Sequence, residues 1–198
     1  GPNGAGKTTF VSLLCGRINA SGGKVVFCGE DISDLPVFER ISNGIGYTFQ
    51  ITSIFVNLTV YENVALAIRK DTSNGEENSV SEVLSKVGLL DRIEQRSGDL
   101  SYGHQRLLEL AMGMAQKPKL LILDEPTQGL SDSEIENFKK LIKDISSSTT
   151  ILLIEHNMDV VMSIADNISV LHFGEIIADG DKETIQNDPI VQKAYLGD

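Results

Sequence analysis

Leu120-Leu-Ile-Leu-Asp-Glu-Pro126 runs four apolar residues without alternation straight into two adjacent carboxylates. Unbroken apolar strands suit a parallel sheet covered on both faces, whereas a strand with one wet face alternates. A second such run, Ile151-Leu-Leu-Ile154, follows a segment in which Ile135, Phe138, Leu141, Ile142 and Ile145 fall on one helical face. The spacing predicts a strand-helix-strand unit and hence an α/β core. In such sheets ligands meet the carboxyl ends of the strands, which is where Asp124 and Glu125 stand. Ser131-x-x-Glu134 already provides a capping box for the next helix, so the two acids are not needed as its cap. Neighbouring carboxylates repel, and a bound cation offsets that cost. The chemistry open to them is a Mg²⁺ held by Asp124 through its water, and a water polarised by Glu125.

At the start of the chain, Gly1-Pro-Asn-Gly-Ala-Gly-Lys-Thr8 satisfies G-x-x-x-x-G-K-[ST]. Its glycines let backbone N–H groups turn inward around phosphate oxygens, and the helix beginning near Lys7 aims its positive end at them. Gly1, Pro2, Asn3, Gly4, Ala5, Gly6, Lys7, Thr8 and Thr9 are therefore candidates for nucleotide binding. In this pattern Lys7 neutralises the β and γ phosphates and Thr8 offers its hydroxyl to Mg²⁺. A loop of this kind is fed by a buried strand on its N-terminal side. The expectation is that the intact protein extends upstream, bringing that strand and whatever side chain stacks on the base.

Between these poles, Lys7 to Ile18 reads as a helix whose apolar stripe is Phe10, Val11, Leu13, Leu14 and Ile18, with Gly22-Gly23 after it. Val25 to Cys28 reads as a short strand turning at Gly29, Pro36 to Ile41 as a short helix, and Ile45 to Phe49 as a strand delivering Gln50. Thr59-x-x-Glu62 and Ser79-x-x-Glu82 are capping boxes opening the apolar-periodic runs Val60 to Ile68 and Val80 to Val87. The polar stretch Asp71 to Asn78, with its Asn-Gly, is expected to be a mobile surface loop. Ile168 to Phe173 and Glu175 to Ala178 around Gly174 predict a hairpin, and Asp188-Pro189 the start of a last helix.

Composition narrows the function. The 198 residues, 41% hydrophobic, suit one domain with a real core. With 17 Lys+Arg against 28 Asp+Glu and a net charge of −11, the chain lacks the basic surface that nucleic-acid binding needs. No run approaches the roughly 18 apolar residues of a spanning helix, so the chain is expected to be soluble. Cys15 and Cys28 have neither zinc spacing nor a Cys-x-x-Cys pair and are expected as small core residues in a reducing cytosol.

Gly1 to Thr8, Gln50 after a strand, Leu100-Ser-Tyr-Gly-His-Gln105, Leu121-Ile-Leu-Asp-Glu-Pro126, Gly129-Leu-Ser-Asp132 and His156 resemble, in order and spacing, the nucleotide-binding subunit of ABC transporters. The resemblance covers essentially the whole chain and implies a single ABC ATPase domain over 1–198: a parallel-sheet core, a small antiparallel β portion and a helical subdomain near 52–112. It implies that Gln50 ligands Mg²⁺ and senses the γ phosphate. Ser101 and Gly103, with Tyr102 and His104 around them, look like the signature that closes over ATP held by the opposite subunit. A serine hydroxyl and glycine amides opening the helix Gly103 to Gln116 make physical sense as a second anion site. Asp132 is similar to the residue that crosses the dimer interface, and His156 to the switch histidine on the γ phosphate. Tyr102 and His104 depart from the usual Gly and Gln.

The family implies an ATP-hydrolysing, Mg²⁺-dependent enzyme on the inner face of the cell membrane. Its partners are transmembrane permease subunits, a second ATPase subunit of the same or a paralogous chain and, indirectly, an extracytoplasmic solute-binding protein, with no nucleic acid. Tyr102 with Gln105-Arg-Leu-Leu-Glu109, Phe49-Gln50 with Leu58 to Val64, Ile154 to Met158 and Ala194 to Gly197 resemble the importer subgroup for branched-chain amino acids. Related subunits for urea, short amides or lipopolysaccharide share parts of this pattern. A soluble ABC ATPase of DNA repair or translation is a competing reading, opposed by the acidic charge and the lack of a long coiled-coil insertion between Gln50 and Leu100. A non-hydrolysing subunit is another, opposed by the retention of Lys7, Gln50, Ser101, Asp124, Glu125 and His156.

Overall fold

The computed structural model describes residues 1, 4–48, 53–68 and 76–196. They form two compact units, Gly44–Leu152 and Gly1–Asn43 with Leu153–Asp198. Three strands make the parallel sheet, β3 (Ile45–Thr48), β4 (Leu120–Asp124) and β5 (Thr150–Ile154), in the order β3-β4-β5. β3 and β4 run parallel with Ile45 opposite Leu120 and Thr48 opposite Leu123. Leu121, Ile122 and Leu123 are buried to within 1% of their surface, as an unbroken apolar run in a covered strand requires. β5, last in the order, keeps Ile151 to Leu153 half-exposed, so the expected double covering holds for β4 more than for β5.

α6 (Asp132–Ser146) joins β4 to β5 and buries Phe138, Ile142 and Ile145, three of the five residues on the predicted face. The strand-helix-strand unit is therefore present. The other helices of this unit are α3 (Val60–Ala67), α4 (Glu76–Lys86) and α5 (Tyr102–Ala115), packed around Val60, Val64, Val80, Leu84, Leu89 and Leu108. The box at Thr59/Glu62 caps α3 as predicted, with Glu62 N donating to Thr59 Oγ1 at 3.1 Å and Thr59 N to Glu62 Oε2 at 2.8 Å. The box at Ser79/Glu82 does not form. α4 starts at Glu76, so both residues are inside the helix, and Glu82 pairs with Lys86 one turn on at 2.8 Å. Of the expected loop Asp71 to Asn78, residues 76–78 belong to α4 and 71–75 lie outside the described residues.

The other unit begins with α1 (Lys7–Leu14), four residues shorter than the apolar stripe predicted. Its end is fixed by Arg40 of α2 (Val37–Ser42). The buried guanidinium donates to Leu13 O at 2.7 Å and Leu14 O at 2.8 Å, and to Ser33 O and Leu35 O. A helix C-terminus leaves carbonyls orphaned, and a cation there also meets its negative end. With the helix ended, Ile18 is left exposed. β1 (Val26–Phe27) and β2 (Glu30–Asp31) form a small hairpin whose turn residues Cys28 and Gly29 have φ 52° and 85°. A two-residue turn with both φ values positive matches the twist of its strands. It also places Cys28 at the surface, against its expected core position, while Cys15 is buried.

After β5 come α7 (Met158–Ile164), the antiparallel hairpin β6 (Ile168–His172) and β7 (Glu175–Gly180), α8 (Lys182–Asn187) and α9 (Pro189–Leu196). Asp188 caps α9 as predicted, accepting from Ile190 N at 2.7 Å and Val191 N at 3.1 Å. Ile168, Val170, Ile185 and Val191 form the core of this part.

Candidate functional site

In the unit containing α1, the glycine loop meets the tip of the β6-β7 hairpin. Gly174 N donates to Ala5 O at 2.8 Å, and Gly174 Cα lies within 3.4 Å of where a Cβ on Gly6 would stand. A Cβ on Gly1 would overlap the Leu171 carbonyl oxygen. Close backbone approach is one reason for a glycine at such positions. At Gly6 there is a second, since it is the N-cap of α1 with φ 99°. Lys7 Nζ donates to Gly1 O at 2.7 Å, so the lysine is folded over the loop. Thr8 and Thr9 are exposed, and the first turn of α1 carries no acidic side chain. A helix start whose N-cap residue supplies no capping side chain, beside a lysine, suits a phosphate group. Pro2 and Asn3 lie outside the described residues.

His156 belongs to the same unit and follows β5 by two residues. The buried Glu155 carboxylate accepts the backbone N–H of His156 at 3.1 Å and of Asn157 at 3.3 Å, and Asn157 in turn caps α7. The imidazole is left exposed on a pinned backbone. Glu155 had a sequence signal in its position, a carboxylate directly after an apolar run.

The other unit holds the remaining candidates. Asp124 ends β4 with 2% of its surface exposed and accepts from the Tyr47 hydroxyl at 3.2 Å. Glu125 follows in the left-handed region, φ 47°, where an L side chain costs about 1–2 kcal/mol. That reversal turns the chain off the strand end. Gln50 lies outside the described residues.

Ser101 is the N-cap of α5. Its Oγ is 2.8 Å from His104 Nδ1 and accepts the His104 N–H at 3.3 Å. Gly103 is buried against α6, and a Cβ there would overlap Glu134 Oε1. Glu134 is held by Ser131, whose N–H and hydroxyl reach Glu134 Oε2 at 2.8 and 2.7 Å and keep the carboxyl ionised below its ordinary range. Asp132 opens α6, exposed.

Tyr102 packs on Gly129, where an added Cβ would come within 2.9 Å of its ring and where φ is 80°. Its hydroxyl accepts from Arg106 Nε at 3.1 Å, Arg106 pairs with Glu109 at 3.0 Å, and Glu109 accepts from Ser53 N at 3.3 Å. This chain of contacts, buried at Arg106 and Glu109, ties the segment after residue 52 to the start of α5 and the loop before α6. Sequence reading used Arg106 and Glu109 only as family markers, although charges three apart inside an apolar helix face are themselves a signal of burial.

These residues belong to a wider pattern. A family model described as ABC transporter matches residues 1–128, and one described as branched-chain amino acid ATP-binding cassette transporter matches residues 175–198. The high-affinity branched-chain amino acid transport ATP-binding protein BraF of Pseudomonas aeruginosa is 38% identical over all of this chain and 85% of its own length. LivG of Escherichia coli, of the same description, is 36% identical with the same coverage. The lipopolysaccharide export system ATP-binding protein LptB of Haemophilus influenzae is 38% identical over all of this chain and 84% of its own. Among solved structures, MJ1267, an ATP-binding cassette of an ABC transporter, superposes with a TM-score of 0.89 at 27% identity, covering 99% of this chain and 85% of that one. Its ADP conformation gives 0.86 at 29% identity, covering 100% and 85%.

Proposed function

The chain belongs to the ABC transporter ATP-binding family, and from that premise we propose that this ABC ATPase dimerises around Mg-ATP and powers import of branched-chain or other hydrophobic amino acids. The observation that carries the cargo reading is the match of residues 175–198 to the branched-chain amino acid cassette model, because this stretch lies outside the motifs every such ATPase needs. The equal identity to LptB favours export or import of another cargo as the second reading. Among the described residues no helix is long and apolar enough to cross a membrane. Transmembrane permease subunits are the proposed membrane partners. A second ATPase subunit, of this or a paralogous sequence, and an extracytoplasmic solute-binding protein complete the proposed assembly at the inner face of the membrane.

In this reading Gly1 to Thr9 cradle the phosphates and Lys7 neutralises the β and γ groups. Glu125 orients and polarises the attacking water, and His156 holds the γ phosphate from its pinned backbone. Ser101, Tyr102, Gly103, His104 and Asp132 face ATP bound by the second subunit. The donor chemistry of an exposed threonine hydroxyl, a buried carboxylate and an amide oxygen fits a hard cation, so Thr8, Asp124 and Gln50 are assigned to Mg²⁺. When bound, the ion would neutralise part of the phosphate charge. Hydrolysis is then positioning and electrostatics, without a covalent nucleophile on the protein.

The test is a pull-down of the tagged full-length protein from native membranes in mild detergent. Co-purification of integral membrane subunits with an amino-acid-binding protein is expected. Copurification with lipopolysaccharide-handling components selects the second reading, and a soluble protein without membrane partners removes the transport assignment.

A further inference from the structure

Tyr102, Arg106 and Glu109 follow one another at helical spacings of four and three, so they share one face of α5. At the centre of that face the Arg106 guanidinium donates from Nε to the Tyr102 hydroxyl at 3.1 Å and from Nη1 to Glu109 Oε2 at 3.0 Å. Its Cζ also lies 5.4 Å from the centroid of the Tyr102 ring. The guanidinium fork is rigid, so two acceptors that bond to it are fixed relative to each other. At one end of this link the Glu109 carboxylate accepts the Ser53 N–H at 3.3 Å through Oε1. At the other, the Tyr102 ring lies so close to Gly129 that an added Cβ would stand 2.9 Å from it. Three stretches of chain are thus joined: the one after Gln50, the start of α5 with Ser101 and Gly103, and the loop between Glu125 and Asp132.

Stability alone does not explain the pair at its centre. Arg106 and Glu109 expose only 6% and 7% of their side chains. Taking two charges out of water costs about as much as their attraction returns, and apolar residues of like volume often serve a fold equally well. What such a pair can supply is one fixed geometry.

We propose that Arg106 and Glu109 are positioning residues for ATP hydrolysis, forming a rigid link that holds Ser101 and Gly103 in register with the segment after residue 52 and the loop that follows Glu125. The inference rests on the reading that the start of α5 faces ATP of the second subunit while Glu125 polarises the attacking water. Those groups must surround one phosphate, and a misplacement of about 1 Å costs about a hundredfold in rate. The phosphate loop belongs to the other compact unit. A loosened link therefore leaves ATP binding by one subunit intact and slows the step that needs both.

The experiment measures kcat and KM for ATP and the melting temperature of the full-length protein, with the ATP dissociation constant taken while Mg²⁺ is chelated to stop turnover. Arg106→Met with Glu109→Gln removes both charges of the pair together and keeps an acceptor for the Ser53 N–H. This double variant is expected to lose about ten- to a hundredfold in kcat, with its dissociation constant within about twofold of wild type and its melting temperature within about 4 °C. Tyr102→Phe removes only the hydroxyl. It is expected to lower kcat about tenfold in the wild type, the weight of one hydrogen bond to a charged group, and less than about twofold where the link is already severed. If the double variant fails to fold, Arg106→Lys replaces it in the same comparison, since one nitrogen does not reproduce the fork.

An unchanged kcat in the double variant, while Ser101→Ala lowers activity, overturns the role of Arg106 and Glu109 alone. A melting temperature and ATP affinity that fall together with kcat make the pair structural and overturn it too. So does a loss from Tyr102→Phe that is the same in both backgrounds, because the hydroxyl then acts without the arginine. Unchanged activity of Ser101→Ala overturns the parent reading of Ser101 and this role with it.

Discussion

Helix α1 begins at Gly6, in a left-handed conformation and with no acidic residue in its first turn, whereas α6 begins at Ser131 with Asp132 and Glu134 in its first turn. At α6 the Glu134 carboxylate folds back onto Ser131 through two short hydrogen bonds, and at α3 Thr59 and Glu62 do the same. Every helix start leaves amides without intrahelical partners. A side chain that answers them stabilises the fold, and a bare start with a lysine folded nearby is left for a ligand. α5 stands between the two: Ser101 answers one amide, at 3.3 Å, and its hydroxyl is shared with a histidine ring.

If the contrast is right, chemistry, ligand affinity and stability come apart under mutation. Glu125→Gln is expected to lower ATP hydrolysis by about 10²–10⁴-fold while ATP binding is kept and a dimer accumulates. Single-turnover assays with size-exclusion chromatography check this, and steady turnover would remove Glu125 as the water-polarising group. Lys7→Ala is expected to weaken ATP binding about a hundredfold, the loss of charge-assisted bonds worth ~3 kcal/mol, with the melting temperature of the free protein nearly unchanged. Calorimetry with and without nucleotide measures both; a large loss of intrinsic stability would make the α1 start structural. Thr59→Ala reverses the pattern, costing about 1 kcal/mol of stability with ATP affinity unaltered, as urea titration would report.

The smallest expected effect concerns acid. Glu134 and Asp181 both hold their carboxyls below the ordinary range, Glu134 through hydrogen bonds from Ser131 and Asp181 through hydrogen bonds from Thr184. A carboxyl depressed in the folded state contributes stability that is complete above its unfolded pKa and lost as pH falls through the folded one. Thermal melts from pH 7 down past 4.5, the ordinary value for glutamate, should show a shallower decline for Glu134→Gln than for wild type. Parallel declines would mean that the closure of α6 does not depend on this charge.

The α/β core was legible because Leu120 to Leu123 and Ile151 to Ile154 carry their own burial pattern, and the loop Gly1 to Thr8 because its glycines are needed locally. The boxes at Thr59 and Ser131 and the cap at Asp188 were legible for the same reason: each is a contact within four residues. Part of what sequence reading missed depends on distant partners. The end of α1 is decided by Arg40, 26 residues from the Leu14 carbonyl it holds. The burial of Glu109 depends on Arg106 and on Ser53. The box at Ser79 satisfied the local rule and failed because the helix had begun a turn earlier. In the candidate site, residue types were legible, while the left-handed turn at Glu125, the Glu134 carboxylate over Gly103 and the Glu155 pin under His156 were not.

The hydrogen bond from Gly174 to Ala5 joins the beginning of this chain to a hairpin made near its end. Contacts of such sequence separation form late, since the loop-closure entropy must be overcome first. During synthesis the glycine loop emerges before the hairpin and meets this backing only after residue 174 has left the ribosome. In the role proposed for this loop, a nascent chain lacks the native backing for a phosphate until the hairpin has been made. Synthesis and the onset of nucleotide binding are separated in time by the path of the backbone itself.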